Sequence, residues 1–353
     1  MKRRDMLKTL GIATVASGTG GIMLTEAEAA ELNDALNIAL DEYAFPWDPA
    51  DPDVPGRMNI ARVPDDYFMP GRFAGKNVIV TGCARGMGAD AARRLAREGA
   101  NVVGLDILEE LGAETIESIR AEGLNAAFVP GDITRDSDCE RMVSYCVETY
   151  GSLDAAINNA GVMDALHPDE EIDYPNQRDR LMARIHEAGD PYWNRVMEVN
   201  VTGTFYSMRH ELRQMMKQNT GGSIVNIASV AGIRGFGGTP PYVASKHAVQ
   251  GLTKNAAIDY APYGIRVNST GMGTTITPMF KRAFEIIRQR IGTGFKDSGI
   301  SLAKIESLLQ YSDQNKMGST SAEQVAIMLF LLSPEASNIT GATYNTDGGF
   351  SVY

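Results

Sequence analysis

From Phe73 to the C-terminus, short apolar runs alternate with longer amphipathic stretches, and this alternation restricts the fold more than any other feature of the chain. The runs are Asn77 to Val80, Asn101 to Asp106, Ala126 to Asp132, Leu153 to Asn158, Ser223 to Ser229, Ile265 to Thr270 and Ala342 to Asn345. A strand that is apolar throughout has both faces covered, and strands separated by helical stretches pair in parallel through crossover connections. The pattern therefore predicts an α/β fold: one doubly wound, parallel, seven-stranded sheet with helices on both faces. A length of 353 residues, at roughly 100–200 per domain, would suggest two domains, but no repeat or low-complexity break divides the series.

Two different segments precede this body. Residues 1–30 carry Lys2, Arg3, Arg4 and Lys8, then a weakly apolar run from Thr9 to Leu24, then Ala27-Glu28-Ala29, the three-part order of an export signal. Arg3-Arg4 followed by Leu7-Lys8 resembles a twin-arginine signal, with Met6 where that pattern usually has Phe. The run is too rich in Gly, Ser and Thr for a permanent membrane anchor. The expectation is export to the periplasm or cell envelope through the twin-arginine machinery if the signal operates, and a cytoplasmic protein otherwise. Residues 31–72 form an acidic, proline-rich arm in which prolines from Pro46 to Pro55 exclude helix and ladder pairing. Phe45, Trp47, Tyr67 and Phe68 are possible anchors, so the arm is expected to lie over the body or a neighbouring subunit, the alternative being a flexible spacer. The catalytic body is placed at 73–353, with a lid at about 278–318.

Of the net charge of -11, about +1 falls on residues 1–30, -7 on 31–70 and -5 on the rest. A field of that sign repels phosphate backbones, so nucleic acid is not expected as a partner. Cys139 and Cys146 stand i and i+7 on a predicted helix, about 10 Å apart, too far to bridge. The four histidines show no metal-ligand spacing, and no metal site is expected.

After the first strand comes Thr81-Gly82-Cys83-Ala84-Arg85-Gly86-Met87-Gly88. Glycines in a strand-to-helix turn let the backbone bend sharply and approach a pyrophosphate that faces the helix N-terminus, a Rossmann-type arrangement. Asp106 ends the second strand 18 residues after Gly88, near the spacing expected of a carboxylate that accepts both ribose hydroxyls of NAD and repels the extra phosphate of NADP. Arg85 is read as a solvated side chain or a pyrophosphate contact, and Met87 and Ile107 are placed with the cofactor-binding set. Tyr242 and Lys246 are i and i+4 on one helical face, thirteen residues after Ser229. A lysine ammonium beside a phenol lowers its pKa from about 10, which would make Tyr242 a general acid/base for an alcohol and ketone pair. Ser229 would then hydrogen-bond the substrate oxygen, and Asn200 would hold a water linking Lys246 to solvent.

Together these residues resemble the short-chain dehydrogenase/reductase family from about Phe73 to Phe350, through Thr81-Gly82-x3-Gly86-x-Gly88, Asp132-Ile133, Asn158-Asn159-Ala160-Gly161, Asn200, Ser229, Tyr242-x3-Lys246 and Asp347-Gly348-Gly349. The resemblance implies an Asn200-Ser229-Tyr242-Lys246 tetrad, with Lys246 also on the nicotinamide ribose. It implies adenine contacts from Asp132 and Ile133, an adenosine side lined by Asn159, Ala160 and Gly161, and a carboxamide contact from Thr277, with the Thr275 backbone nearby. The turn through Asp106 is most similar to that of NAD-linked hydroxysteroid dehydrogenases, and the family's habit implies a homotetramer or homodimer. Departures are Gly271-Met272-Gly273 in place of the usual Pro-Gly, a long Gly161–Asn200 segment containing the polar stretch 169–177, and a long lid. The lid's Phe280, Phe284, Ile287, Ile291, Phe295, Ile300, Leu302, Ile305 and Leu308 suggest two short helices with apolar faces, and a bulky apolar substrate such as a steroid, terpenoid or aromatic alcohol if some of them face the cleft.

The reading is an NAD-dependent enzyme acting on a small-molecule secondary alcohol or ketone. An acyl-chain ketoreductase and a non-turnover NAD-binding sensor stand as alternatives. If the protein is exported, NAD is expected to be loaded beforehand and to stay bound.

Overall fold

The computed structural model describes residues 60–292 and 318–352. The leader, arm residues 31–59 and lid residues 293–317 lie outside the described residues. The strands are β1 (Asn77–Thr81), β2 (Asn101–Asp106), β3 (Ala126–Pro130), β4 (Ala155–Asn158), β5 (Gly222–Ile227), β6 (Ile265–Met272) and β7 (Thr343–Thr346). The helices are α1 (Gly86–Arg97), α2 (Glu109–Arg120), α3 (Asp136–Tyr150), α4 (Asp190–Met197), α5 (Thr204–Gln218), α6 (Pro240–Tyr260), α7 (Pro278–Gly292) and α8 (Ser321–Leu332). All pairs are parallel, in the order β3-β2-β1-β4-β5-β6-β7. The expected seven-stranded, doubly wound sheet is the observed one. The strand order reverses at β1, which pairs with both β2 and β4, and in open α/β sheets such a switch point is where a crevice forms at the carboxyl ends of the strands.

Alternate strand residues serve opposite faces. Val78, Val80 and Val102 join Leu95 of α1 and Val325 and Leu329 of α8 in one core, while Ile79 and Val103 join Met142 of α3 and Met208 and Leu212 of α5 in the other. Cys139 and Cys146 both lie on α3 and, like Cys83, are buried free thiols. Strand ends differ from expectation where a side chain takes over a backbone group. β3 stops at Pro130, after which the Asp132 N–H donates to the Asp138 carboxylate, and β5 stops at Ile227, whose carbonyl accepts from Lys246.

The long segment between β4 and α4 builds a third apolar cluster. Leu166, Tyr174, Leu181 and Met182 pack with Tyr192 and Val196 of α4 and Ile286 of α7, and Tyr242 lies against them. Tyr174, in the middle of the polar stretch, is only 2% exposed. Of the lid's expected apolar stripe, Ile287 packs on this cluster, but Phe284 is exposed and Ile286 is the buried residue. The described end of the arm meets the body through Arg62, which donates to the Gly318 carbonyl at 3.3 Å, and through Tyr67, beneath the Arg94 guanidinium at 5.0 Å.

Candidate active site

The glycine-rich turn is braced by the loop after β4. The Thr81 hydroxyl accepts from the Asn159 and Ala160 N–H groups at 3.1 and 3.2 Å, and the Asn159 amide donates to the Thr81 and Gly82 carbonyls, each at 3.1 Å. Gly82 and Gly86 have φ of 70° and 58°, in the region where a side chain is strained. A Cβ on Gly82 would come 2.9 Å from Ala160 Cα, and one on Gly88 would run into the Gly82 carbonyl. Glycine is therefore required at both positions, and the turn forms a cradle open to a pyrophosphate at the α1 N-terminus. Arg85 stands at that N-terminus with extended backbone and is half-buried, Met87 packs on the first core, and Thr277 methyl and Pro278 lie close to Gly86.

Asp106 accepts from Ala84 N–H through one carboxylate oxygen and from Leu108 N–H through the other, both at 2.9 Å. Each oxygen keeps a further lone pair, so the carboxylate is held in register with the turn and retains acceptors for a vicinal diol. Ile107 beside it is exposed. These groups fit a dinucleotide: a cradle without Cβ atoms, a helix N-terminus and an anchored acceptor pair. Asp132 accepts from Thr134 N–H at 2.9 Å, but the Ile133 side chain turns into the second core against Gly203. Only the main chain of Ile133 is left for the expected adenine contact, because Gly203 vacates the space its side chain fills. The segment carrying Thr275 pairs with Ser319, whose N–H donates to Thr274 O at 2.9 Å and whose carbonyl accepts from Ile276 N–H at 3.0 Å. Thr277 caps α7 by accepting from Phe280 N–H at 3.3 Å.

At the other end of the crevice, Ser229, Tyr242 and Lys246 converge. The Ser229 hydroxyl accepts from Ala231 N–H at 3.1 Å and donates to Met272 O at 3.3 Å, beside the Tyr242 phenol. Lys246 Nζ is 5.6 Å from the Tyr242 ring centroid and donates to Ile227 O at 2.8 Å. Burial pushes the Lys246 ammonium down to about 8. The Tyr242 phenol is not lowered as expected from its lysine neighbour. Burial raises it, and the neighbouring Ser229 hydroxyl opposes that only in part. The Lys246 ammonium is itself deprived of water and turned to the Ile227 carbonyl.

Asn200 has partners beyond the expected water. It lies in a π-helical turn, Glu198–Gly203, between α4 and α5. Its amide donates to Val162 O at 2.9 Å and Ser245 Oγ at 3.0 Å, and its Oδ1 accepts from Val162 N–H at 2.8 Å. The side chain is thus first a brace, tying the loop after β4 to the helix that carries Tyr242 and Lys246. Asn200 Oδ1 and Lys246 Nζ do face a common point at Gly161, 3.2 and 3.6 Å from where a Cβ there would stand. One Oδ1 lone pair is what remains on that side chain for a water. Sequence reasoning missed this bracing, and it missed Tyr192, fully buried within the cluster that Tyr242 lies against. Among the described residues no group of three or more His, Cys, Asp or Glu side chains is arranged to hold a metal ion.

Residues 76–287 match the family described as short chain dehydrogenase. The chain is 36% identical over 296 residues to a 3beta-hydroxysteroid dehydrogenase of Mediterraneibacter gnavus, covering 81% of this chain and 98% of that one. It is 33% identical over 287 residues to a cyclohexanol dehydrogenase of an Acinetobacter species, covering 81% and 99%. The crystal structure of levodione reductase superposes with a TM-score of 0.66 at 29% identity, covering 80% of this chain and all of that one.

Proposed function

The chain belongs to the short-chain dehydrogenase family, oxidoreductases that act on CH–OH groups and interconvert alcohols and ketones with NAD or NADP, and from that premise we propose that this member uses NAD on a bulky alicyclic secondary alcohol or its ketone. The observation that carries the reading is the meeting of Ser229, Tyr242 and Lys246 at one end of a crevice whose other end is the Asp106-anchored glycine turn. Asp106 supports NAD over NADP, since a carboxylate there opposes a 2′-phosphate. The steroid and cyclohexanol named for the two relatives support a bulky alicyclic substrate.

When bound, NAD supplies a hydride acceptor and a positive charge. The chain's own residues manage the proton and the oxygen. Ser229, held by Ala231 N–H, turns its hydroxyl proton from Met272 O to the substrate oxygen as charge develops on it. Tyr242 takes the hydroxyl proton in oxidation and returns it in reduction. Lys246, with a pKa near 8, carries its charge below that pH and favours the phenolate of Tyr242 electrostatically. Asn200 keeps Val162 and the Ser245 turn of α6 in place, so that these groups stay within reach of one substrate atom. In the Tyr242→Phe variant, kcat should fall by a factor of about 100 or more with NADH affinity retained. An NAD-coupled screen of steroids, terpenols and cyclohexanols provides the substrate, and undiminished turnover by the variant would falsify the assignment.

Two further proposals concern the whole protein. The Arg3-Arg4 leader supports export by the twin-arginine machinery, and replacing both arginines by lysine should retain the protein in the cytoplasm; an unchanged distribution would count against it. Exposed Phe205 on α5 and Ile258 on α6 leave apolar surface for a homodimer or homotetramer, a state that light scattering at the monomer mass would refute.

A further inference from the structure

Helix α7 begins at Pro278, one residue after Thr277, so whatever holds this helix also holds the threonines assigned to the cofactor. Its first residue packs against the glycine turn, with Pro278 Cδ 3.5 Å from the place of a Cβ on Gly86. Arg282, Ile286 and Arg290 are four residues apart and share one face, and this face is fastened to the segment between β4 and α4. Arg282 donates to both oxygens of Asp164, at 3.0 and 3.4 Å, and to the carbonyls of His167, Pro168 and Glu170 at 3.2, 3.3 and 3.1 Å. Arg290, only 2% exposed, donates to Tyr174 Oη at 2.8 Å, Met182 O at 3.4 Å and the Glu187 carboxylate at 3.0 Å. Between them Ile286 is buried in the third cluster, and Gln289 accepts from Tyr174 N–H and donates to Ile172 O, each at 3.0 Å.

Lifting α7 strips Asp164, itself 5% exposed, of its guanidinium and breaks the Arg290 contacts together, and a buried charge left without its partner strongly disfavours intermediate openings. The insertion therefore restrains the helix at the mouth of the crevice, not only fills space beside it.

We propose that Arg282 and Arg290 are positioning residues that latch α7 over the dinucleotide crevice and make exchange of the bound dinucleotide slow. The proposal rests on the NAD reading above. It agrees with the independent argument from the leader, that an exported enzyme has to carry its dinucleotide with it.

The test uses the full chain saturated with NADH and chased with excess NAD, following loss of bound-NADH fluorescence, for wild type and for Asp164→Asn, Arg282→Lys and Arg290→Met. Asp164→Asn and Arg282→Lys keep shape or charge, and thermal melts verify that each variant is folded. Release should quicken about tenfold or more in each folded variant, the size expected from losing a charge-assisted hydrogen bond in a partly buried pair. Release at the wild-type rate in the folded variants overturns the latch. Tight, slowly released NADPH in place of NADH, quickened by the same substitutions, supports the latch and overturns the NAD reading. Failure of wild type to bind either dinucleotide removes both.

Discussion

Glu211 on α5 has no exposed surface, and its environment makes a quantitative prediction. Asn158 of β4 donates to one carboxylate oxygen at 3.0 Å and, with its other N–H, to Asn226 Oδ1 at 3.0 Å. Neither the second Glu211 oxygen nor Asn158 Oδ1 has a hydrogen-bond partner among the described residues. Two acceptors left over in one bonded pair are what a proton on Glu211 would satisfy. Burial pushes the carboxyl from 4.5 up to about 7, against the Asn158 hydrogen bond. A rise of that size amounts to about 3 kcal/mol. The folded state binds the proton more tightly than the unfolded one, so the contribution is fully present below about pH 4.5 and is lost as pH rises through 7. Above that, ionised Glu211 costs the fold about 3 kcal/mol. Glu211→Gln keeps the shape, carries no charge, and adds an N–H that can donate to Asn158 Oδ1. The variant should be about 3 kcal/mol more stable than wild type at pH 8.5 and less than about 1 kcal/mol more stable at pH 5. Urea titrations at the two pH values, with unchanged m, measure the difference directly. Equal gains at both pH values, or a variant less stable at pH 8.5, would refute the protonation argument.

Asp106→Ala should lower the NAD-to-NADP ratio of kcat/KM at least tenfold, and an unaltered ratio tells against the ribose role; it also frees the Ala84 and Leu108 N–H groups, so about 1 kcal/mol of stability per lost bond should go with it. Gly88→Ala places a Cβ against the Gly82 carbonyl, a backbone atom with no room to yield. It should cost about 1–3 kcal/mol and most of the dinucleotide affinity, while a variant with wild-type melting and binding would show that the turn relaxes freely. Burial raises the Cys83 thiol strongly and pushes Cys139 and Cys146 up to about 12, so a thiolate-directed reagent should label none of the three in the folded enzyme and all of them after unfolding; rapid native labelling would contradict the burial.

What was legible in the sequence follows from how local each signal is. The sheet could be read because strands covered on both faces are apolar throughout, and the glycine turn because close backbone approach tolerates no side chain at Gly82 or Gly88. Tyr242 and Lys246 could be read because i,i+4 spacing holds in any helix. Their protonation could not, because it depends on how much water the fold removes. The lysine neighbour argues for a lowered phenol, and burial of both groups reverses the direction. Asn200 was legible as a residue but its bracing was not, since its partners Val162 and Ser245 are 38 and 45 residues away along the chain. Glu211 reads along α5 as one more solvated charge between His210 and Leu212, and only the approach of Asn158 from β4 makes it a buried acid. The same holds for Arg282 and Arg290. In the sequence they are basic residues on an amphipathic helix, and their significance comes from Asp164 and Glu187 more than 100 residues earlier. The reacting groups are thus specified by short-range patterns, whereas their pKa values and the restraint on α7 are set by contacts between segments far apart in the chain. Substitutions at these distant partners, not at the motifs, should therefore separate this enzyme's pH and exchange behaviour from that of relatives sharing its tetrad.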